Sequence, residues 1–304
     1  MTTLRLGTRG SDLALTQSRW FCDLLRKTHP PIMIEETIIK THGDTAQHDA
    51  FDQNWPVGSF VSAIEKALLD NTVDFAVHSF KDLQTEETKG LTIAAIPGRE
   101  DAHDALLSRE PVSNIRELKR GFRVGTSSPR RAAQMRRLCP SAEIIPIRGN
   151  VPTRIAKIES ENLDGVILAA AGMNRLNIKY PNTTLLPFDL FVPSPAQGAL
   201  AIQTRQDTEA EQLIAVLDDP DARHAVTAER MFLAAIGAGC HTPAGALATM
   251  SDNSEITIDA QLFSDDASQM VECHQTGTDP LELGRSCATE LLAALKETKD
   301  ESPS

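Results

Sequence analysis

The sequence has few aromatic residues and no long apolar run. Its 304 residues include one Tyr and two Trp, which leaves few rings on which the bases of single-stranded nucleic acid could stack. No apolar stretch is long enough to span a bilayer, and the first residues lack the basic and apolar segments of a signal peptide. We therefore expect neither a membrane protein nor a secreted one, and the length predicts two or three domains.

Metal-binding and disulfide patterns are also missing from the sequence. The five cysteines lie far apart, at positions 22, 139, 240, 273 and 287, and no two form a CxxC pair. The eight histidines show no HExxH motif and no His/Cys ligand spacing. This pattern predicts no metal site and is typical of a protein of the reducing cytoplasm.

Charge is distributed unevenly along the chain. The protein has 30 Lys and Arg against 42 Asp and Glu, a net charge that disfavours general binding to nucleic acid. Between Arg116 and Lys157, however, eleven basic residues stand against only Glu117 and Glu143. Because guanidinium groups pair well with carboxylates and phosphates, this segment indicates a specific anionic ligand.

Short apolar runs alternate with amphipathic stretches over the first 170 residues or so. Predicted strands span 4–7, 32–39, 73–78, 91–96, 122–125, 143–147 and 165–169, and predicted helices span 12–26, 60–69, 129–138 and 151–159. This alternation predicts an α/β fold with mostly parallel sheets. Residues 4–11 and 122–128 share a pattern of strand, Gly-Thr, hydroxyls and helix, which indicates two related domains with ligands bound beyond the strand ends, between the domains.

The pattern changes after Ile202. Predicted helices at 209–217 and 225–236 are separated by Asp218-Asp219-Pro220, a strand is predicted at 255–263, and a closing helix at 281–296. We infer a smaller α+β domain from about Asp218 onward, with a frayed tail at 299–304.

The segment Gly125-Thr126-Ser127-Ser128-Pro129-Arg130-Arg131 is the strongest local signal. Ser127 or Ser128 can cap a helix that begins at Pro129, and the free amides of that helix start attract an anion. Cations are disfavoured at a helix N-terminus, so Arg130 and Arg131 indicate a compensating anion. The alternative is an ordinary helix cap with solvated arginines.

Further arginines follow the next two predicted strands. Arg148-Gly149-Asn150 comes after strand 143–147, with Arg154 one helical turn further, and Arg175 comes after strand 165–169. Each arginine alone is most simply a surface charge. Three successive strand ends that each supply Arg favour one shared anion site.

Three other segments carry candidate chemistry. Lys81-Asp82 follows an apolar strand and is suited to acid/base work, although an exposed turn with a solvated ion pair is equally consistent with the spacing. Cys240 lies in a Gly-rich loop where a thiol near cations would be nucleophilic; alone, a small buried hydrophobe is the simpler interpretation. Arg9 and Ser11 stand at a predicted helix start, and the polar stretch 41–58 reads as a mobile loop over the cleft.

Together these stretches resemble the porphobilinogen deaminase (hydroxymethylbilane synthase) family. The matching motifs occur in the family's order over nearly the whole chain: Gly7–Ser11 with Leu13–Gln17, Val77–Asp82, Gly125–Arg131, Arg148–Val151 with Arg154, Ala196–Ala199, and Thr227–Arg230.

The resemblance implies two type II periplasmic-binding-protein-like domains and a smaller C-terminal domain, over 1–97 with 198–216, over 98–197, and over 217–304. The implied activity polymerises four porphobilinogen molecules head to tail, with release of ammonia, on a covalently attached dipyrromethane primer. Cys240 matches the cysteine of the primer thioether, and Asp82 matches the catalytic carboxylate, which would stabilise the pyrrolic N–H and the cationic azafulvene. The protein would be a cytoplasmic monomer without a metal, a nucleic-acid partner or a membrane partner.

The resemblance also assigns binding residues, because the substrate and the primer carry acetate and propionate groups. Those implied to hold the cofactor are Cys240, Lys81, Asp82, Thr126, Ser127, Ser128, Arg130, Arg131, Arg148 and Gly149. Those implied to hold the substrate are Arg9, Ser11, Gln17, Arg148, Asn150, Arg154, Arg175 and Gln197.

Three positions depart from the family pattern. Val57 replaces a Lys in the lid loop, Gln84 replaces a Pro after Lys-Asp, and Gly237 replaces a Glu before the cofactor cysteine. The altered lid motivates one alternative, a binding protein for a carboxylated ligand that has lost efficient catalysis. A nucleic-acid binder that uses the basic segment is a further alternative, opposed by the acidic total and the scarcity of aromatic residues.

Overall fold

The computed structural model describes residues 2–40, 62–237, 242–264 and 266–300. Its strands, in chain order, are β1 (Thr3–Thr8), β2 (Met33–Ile38), β3 (Phe75–Ser79), β4 (Leu91–Ala95), β5 (Asp104–Ser108), β6 (Arg123–Gly125), β7 (Glu143–Ile145), β8 (Gly165–Ala169), β9 (Thr183–Leu186), β10 (Leu200–Arg205), β11 (Ala244–Met250), β12 (Ile256–Phe263) and β13 (Met270–Gly277). Its helices are α1 (Asp12–Thr28), α2 (Ser62–Leu69), α3 (Pro129–Leu138), α4 (Val151–Ser160), α5 (Ala170–Arg175), α6 (Glu209–Ala215), α7 (Pro220–Ala235) and α8 (Pro280–Asp300).

The chain divides into two compact units, Met1–Glu100 with Ala199–Arg223, and Asp101–Gly198 with His224–Ser304. The first unit contains a five-stranded sheet in the order β2-β1-β3-β10-β4. In this sheet β1 is parallel to β2 and β3, whereas β10 is antiparallel to β3 and β4. Phe21 and Leu25 of α1 pack on one face against Phe75, and Ile64 and Leu68 of α2 pack near Ala76 on the other.

The second unit repeats this sheet design. Its five-stranded sheet has the order β7-β6-β8-β5-β9, with β6 parallel to β7 and β8 and with β5 antiparallel to β8 and β9. The same order of parallel and antiparallel neighbours in both sheets confirms two similar α/β domains. In each sheet one strand, β10 or β5, runs antiparallel to the other four. The expectation of mostly parallel sheets is therefore confirmed, with one reversed strand in each sheet.

A smaller α+β portion completes the second unit. The antiparallel sheet β11-β12-β13 is covered by α7 and α8, whose apolar residues Phe232, Leu283 and Leu291 are buried against it. The predicted start of the helix after Asp218-Asp219-Pro220, at residue 225, is wrong. Asp219 Oδ1 accepts hydrogen bonds from the backbone N–H of Asp221 and Ala222, at 3.0 and 3.1 Å, so the helix begins at Pro220 rather than Ala225.

Candidate active site

Asp82 lies in an exposed position directly after a buried strand. The strand β3 is followed by one 3-10 turn, Phe80–Asp82, in which the buried side chains of Phe80 and Leu83 anchor the chain on both sides of Lys81 and Asp82. The turn closes through a hydrogen bond from the Leu83 N–H to the Phe80 carbonyl at 3.2 Å. The two apolar anchors therefore hold the backbone in place while the Asp82 carboxylate is presented to solvent.

The end of β1 lies beside the end of β3, because the two strands are parallel neighbours. Arg9 and Ser11 follow β1, and Ser11 caps α1 by accepting a hydrogen bond from the Ala14 N–H at 3.4 Å. Gln17 is 4% exposed, and its Nε2 donates to Ser79 Oγ at 3.1 Å. The Gln17 amide thus braces the residue at the end of β3, and its contact with substrate stays a prediction.

His78, on β3, is a buried titratable group that sequence reasoning did not assign to the site. Its Nε2 is buried without a hydrogen-bond partner. Burial and the charge of Arg9 together lower the pKa of His78 from 6.5 to about 4, although the Gln203 side chain opposes this shift. The imidazole is therefore neutral at physiological pH, four residues before Asp82 along the chain.

Replacing His78 with Gln will make the free energy of unfolding depend less on pH between pH 6.5 and pH 4. The folded pKa of about 4 lies below the unfolded value of 6.5, so the unfolded chain binds the proton first. The free energy of unfolding of the parent protein therefore falls as the pH drops from 6.5 towards 4, by up to about 3 kcal/mol. Urea unfolding across this pH range measures the slope. His274→Gln is the control, since His274 is exposed. An unchanged slope in His78→Gln would refute the attribution of this pH dependence to His78.

The carboxyl ends of β6, β7 and β8 meet at one edge of the second sheet, since these three strands are parallel neighbours. Ser128 caps α3 by accepting a hydrogen bond from the Arg131 N–H at 3.4 Å, with Pro129 in the first turn. Asn150 caps α4 by accepting from the Thr153 N–H at 2.9 Å. The predicted helix cap before Pro129 is confirmed, and two helix starts face the same sheet edge.

Both arginines after Ser128 are paired inside the protein with Asp104, the first residue of β5. Arg131 donates to Asp104 Oδ1 from Nε at 3.0 Å and from Nη2 at 2.6 Å. Arg130 Nη1 lies 2.7 Å from Asp104 Oδ2, in an ion pair that is not aligned as a hydrogen bond. The Asp104 side chain is fully buried, and those of Arg130 and Arg131 are 5% and 7% exposed.

This buried trio changes the interpretation of the arginine pair. Although burial alone would raise the pKa of Asp104, the charges of Arg130 and Arg131 hold it well below its ordinary value. Burial lowers the pKa of Arg130, against the opposing attraction of Asp104. The expectation that a ligand must compensate both arginines is wrong, because Asp104 supplies a carboxylate; the trio nevertheless keeps one net positive charge.

Replacing Asp104 with Asn will destabilise the second unit by about 3–5 kcal/mol, because it leaves two buried guanidinium groups without their carboxylate. Chemical unfolding at neutral pH measures the loss. Asp259→Asn serves as the control, since Asp259 forms an exposed pair with His274 at 2.7 Å and such pairs contribute about 0–1 kcal/mol. A loss below about 1 kcal/mol in Asp104→Asn would contradict the importance of this trio.

The three hydroxyl residues before α3 are tied to the local backbone. Thr126 Oγ1 accepts a hydrogen bond from the Ser128 N–H at 3.2 Å, and Ser127 Oγ donates to the Ile147 carbonyl at 2.8 Å. Thr126 is buried and Ser127 is exposed. Since Thr126 and Ser128 act as acceptors in these bonds, their O–H protons are the groups that can donate to an anion.

The remaining basic residues differ in exposure. Arg148 and Asn150 are exposed, whereas Arg154 and Arg175 are half-buried. Arg154 Nε donates to the Gly149 carbonyl at 2.8 Å, and Arg175 Nη2 donates to the Gly198 carbonyl at 2.6 Å. These bonds fix the Arg154 guanidinium beside the N-terminus of α4. They fix the Arg175 guanidinium beside Gly198, after which the chain returns to the first unit.

Gln197 does not lie on the surface of the site. It is fully buried, and its Nε2 donates to the Ala102 carbonyl at 2.8 Å and to Asp104 Oδ1 at 3.0 Å. Gln197 therefore has a positioning contact with Asp104, and its contact with substrate stays a prediction. Asp104 and His78 are the site residues that sequence reasoning missed; for Asp104, the available signal was an acidic residue at the start of the apolar run Asp104–Ser108.

Residues 238–241, with Cys240, lie outside the described residues. So do residues 41–61, which include Val57 and the stretch 41–58, which is predicted to be a loop. Gly237, which precedes residues 238–241, has a φ of +66° just after α7 ends. A left-handed residue after a helix C-terminus favours Gly, which gives a backbone reason for Gly in the position where the family pattern has Glu.

The described residues contain neither a metal-binding cluster nor a membrane-spanning helix. Within residues 2–40, 62–237, 242–264 and 266–300, no group of three or more His, Cys, Asp or Glu side chains is placed to hold a metal ion. In the same ranges, no helix combines the length and the apolar character needed to cross a membrane.

Comparison with known proteins gives matches along most of the chain. The family model "Porphobilinogen deaminase, dipyromethane cofactor binding domain" matches residues 4–212, and "Porphobilinogen deaminase, C-terminal domain" matches residues 223–293. The porphobilinogen deaminase of Brevibacillus brevis is 43% identical over 95% of this chain and 94% of its own. Porphobilinogen deaminase 1 of Streptomyces avermitilis is 43% identical over 95% of each chain. The solved methionine binding protein MetQ superposes with a TM-score of 0.45 and 10% identity, over 75% of this chain and 94% of that one.

Proposed function

Because the chain belongs to the porphobilinogen deaminase family, we propose that Cys240 carries its dipyrromethane primer and that Asp82 is its catalytic carboxylate. The protein is a transferase of porphyrin and haem biosynthesis, a hydroxymethylbilane synthase. It condenses four porphobilinogen molecules head to tail, releases ammonia at each addition, and forms the linear tetrapyrrole hydroxymethylbilane. The match of both family models, over 4–212 and 223–293, is the observation that carries this function.

The charge of the second sheet edge fits a primer that bears several carboxylates. Asp104, Arg130 and Arg131 together keep one net positive charge in a buried setting, where a charge is costly without a partner. A carboxylate of the primer would supply that partner. We assign primer binding to Lys81, Thr126, Ser127, Ser128, Arg130, Arg131, Arg148 and Gly149. The dipyrromethane, when bound, supplies the pyrrole to which the first substrate unit is added.

Substrate carboxylates require cations that can be reached from solvent. Arg148 is exposed, and Arg9, Arg154 and Arg175 are half-buried, which suits acetate and propionate groups better than a fully buried arginine does. We assign substrate binding to these four residues with Ser11 and Asn150 at the two helix starts. We also assign substrate binding to Gln17 and Gln197, whose bonds to Ser79 and Asp104 hold their side chains in place.

The exposed position of Asp82 supports its proposed catalytic role. Ammonia loss from porphobilinogen leaves positive charge on the pyrrole ring, and a fixed carboxylate stabilises such charge as it develops. The same carboxylate can accept a proton from the ring that is being joined. The anchored turn at Phe80 and Leu83 holds Asp82 without covering it, so the carboxylate is available to each incoming unit.

Domain limits, assembly and compartment extend this proposal. We assign domain 1 to residues 1–97 and 198–216, domain 2 to 98–197, and domain 3 to 217–304. We also propose that the protein acts as a monomer in the cytoplasm and has no nucleic-acid or membrane partner.

Incubation of the purified protein with porphobilinogen tests this function directly. Ammonia released together with hydroxymethylbilane is the expected result. Binding of porphobilinogen without ammonia release would instead favour the binding-protein alternative. Strong, salt-dependent affinity for DNA or RNA would revive the nucleic-acid alternative.

A further inference from the structure

We propose that Glu229, on α7, is a positioning residue that fastens the turn at 194–198 to the C-terminal sheet. In this way it keeps the Asp104–Arg130–Arg131 trio in a fixed relation to the helix that leads to Cys240. This inference rests on the proposed function for its consequence in primer loading, but its structural part stands on the contacts of Glu229 alone.

The Glu229 carboxylate is shared between two separate segments of backbone. Glu229 is fully buried; its Oε2 accepts a hydrogen bond from the Ala196 N–H at 2.6 Å, and its Oε1 accepts from the Ala248 N–H at 2.7 Å. Ala248 belongs to β11, whereas Ala196 lies in the turn before β10. A single side chain thus joins three segments of the second unit.

The residue that Glu229 holds has a strained backbone. Ala196 has a φ of +61°, in the left-handed region that costs a residue with a Cβ about 1–2 kcal/mol. Such strain persists only where the surroundings determine it, and it often marks a functional position. The short bond from the Ala196 N–H to Glu229 is one contact that maintains this conformation.

One side of the turn connects to the anion site. Gln197, the next residue, donates to Asp104 Oδ1 at 3.0 Å. The Val192 carbonyl accepts hydrogen bonds from Arg130 Nη1 at 2.8 Å and from Gln134 Nε2 at 2.9 Å. A shift of this segment would therefore move acceptors that hold Arg130 and a donor that holds Asp104.

The other side of the turn connects to the C-terminal sheet. The Ala246 N–H donates to the Pro193 carbonyl at 3.0 Å. Gly245 approaches so closely that an added Cβ would lie 2.7 Å from the Val192 carbonyl oxygen. Glu229 belongs to α7, which ends at Ala235, five residues before Cys240. Its hydrogen bonds therefore connect the helix that precedes the primer cysteine with the loop that supports the arginines.

The test compares primer loading and amide exchange in Glu229→Gln with the parent protein. An amide side chain keeps the shape but offers one acceptor oxygen and places an NH₂ group against the other N–H. We expect loading of the apo protein with primer, followed by intact mass, to slow about ten-fold, and kcat of the loaded fraction to stay within about two-fold, because the change does not touch the reacting atoms. Hydrogen exchange at the Ala196 and Ala248 amides will accelerate together.

Three further variants separate positioning from general damage. Glu211→Gln is the matched control: Glu211 Oε2 accepts from the N–H of Asp207 at 2.6 Å, and Asp207 also has a positive φ, +57°, but both lie in the first unit. It will load normally. Ala196→Gly removes the backbone strain at this position. Combined with Glu229→Gln, it will restore at least half of the lost primer-loading rate, on a logarithmic scale. Gly245→Ala, which presses on Val192 without touching Glu229, will slow loading even if Glu229→Gln does not fold.

Different outcomes contradict the proposed function, the positioning role of Glu229 and the contacts of Glu229. A parent protein that never loads primer contradicts the proposed function, and the amide exchange of Ala196 and Ala248 then still decides the structural part. Normal loading in both Glu229→Gln and Gly245→Ala overturns the positioning role. Unchanged exchange at both amides in Glu229→Gln overturns the structural contact itself.

Discussion

Replacing Asp82 with Asn will lower the rate of hydroxymethylbilane formation by about 10²–10⁴-fold, the usual effect of losing a positioned acid/base group. The amide has the size of the carboxylate but can neither balance the charge left by ammonia nor accept a proton. Because Asp82 is exposed and the turn is anchored by Phe80 and Leu83, the fold will be unaffected. Single-turnover rates, measured with equal primer content, test this prediction.

Glu87→Gln provides the matched control for Asp82. Glu87 is an exposed acid five residues further along the same connection, so its replacement removes the same charge from the same region. It will retain turnover within about two-fold if the effect depends on position rather than on net charge. Turnover of Asp82→Asn within ten-fold of the parent would remove Asp82 from the catalytic role.

Replacing Cys240 with Ser will abolish primer attachment and, with it, turnover. A hydroxyl group is a far weaker nucleophile than a thiolate at neutral pH, so no thioether equivalent is expected to form. The other four cysteines are buried, and burial raises the pKa of Cys22 to about 11, which makes that thiol a poor nucleophile. Burial makes these four thiols unfavourable attachment points, and the assignment of Cys240 rests on the family resemblance.

Cys22→Ser is the control for this second prediction. Its thiol is buried against the core of the first unit, so the change costs some stability, but the primer mass will remain on the protein. A primer that persists in Cys240→Ser, or disappears in Cys22→Ser, would contradict the assignment.

Elements with strong local signals could be predicted from the sequence. The bounds of α3 and β8 agree with prediction, because Ser128-Pro129 marks a helix start and 165–169 is a continuous apolar run. Strands β5 and β10 were missed, since their pairing is with distant segments: Leu200 of β10 pairs with Ser79 of β3. Their alignment follows from the fold of each sheet rather than from local pattern.

The same limit applies to the candidate site. The helix cap at Ser128 could be predicted, because the cap accepts from an N–H only three residues away. The partner of Arg130 and Arg131 could not be, since Asp104 lies more than 25 residues earlier and reaches them only through the position of β5 beside β8. The burial of Gln17 and Gln197 likewise depends on tertiary packing, so their bonds to Ser79 and Asp104 could not be predicted from the motifs.

The intact mass of the purified protein, with Cys240→Ser beside it, tests the central claim most directly. The account predicts an excess equal to two deaminated porphobilinogen units on the parent protein and none on the variant. An unmodified parent mass, unchanged after incubation with porphobilinogen or with preformed hydroxymethylbilane, would contradict a covalent primer and favour the binding-protein alternative.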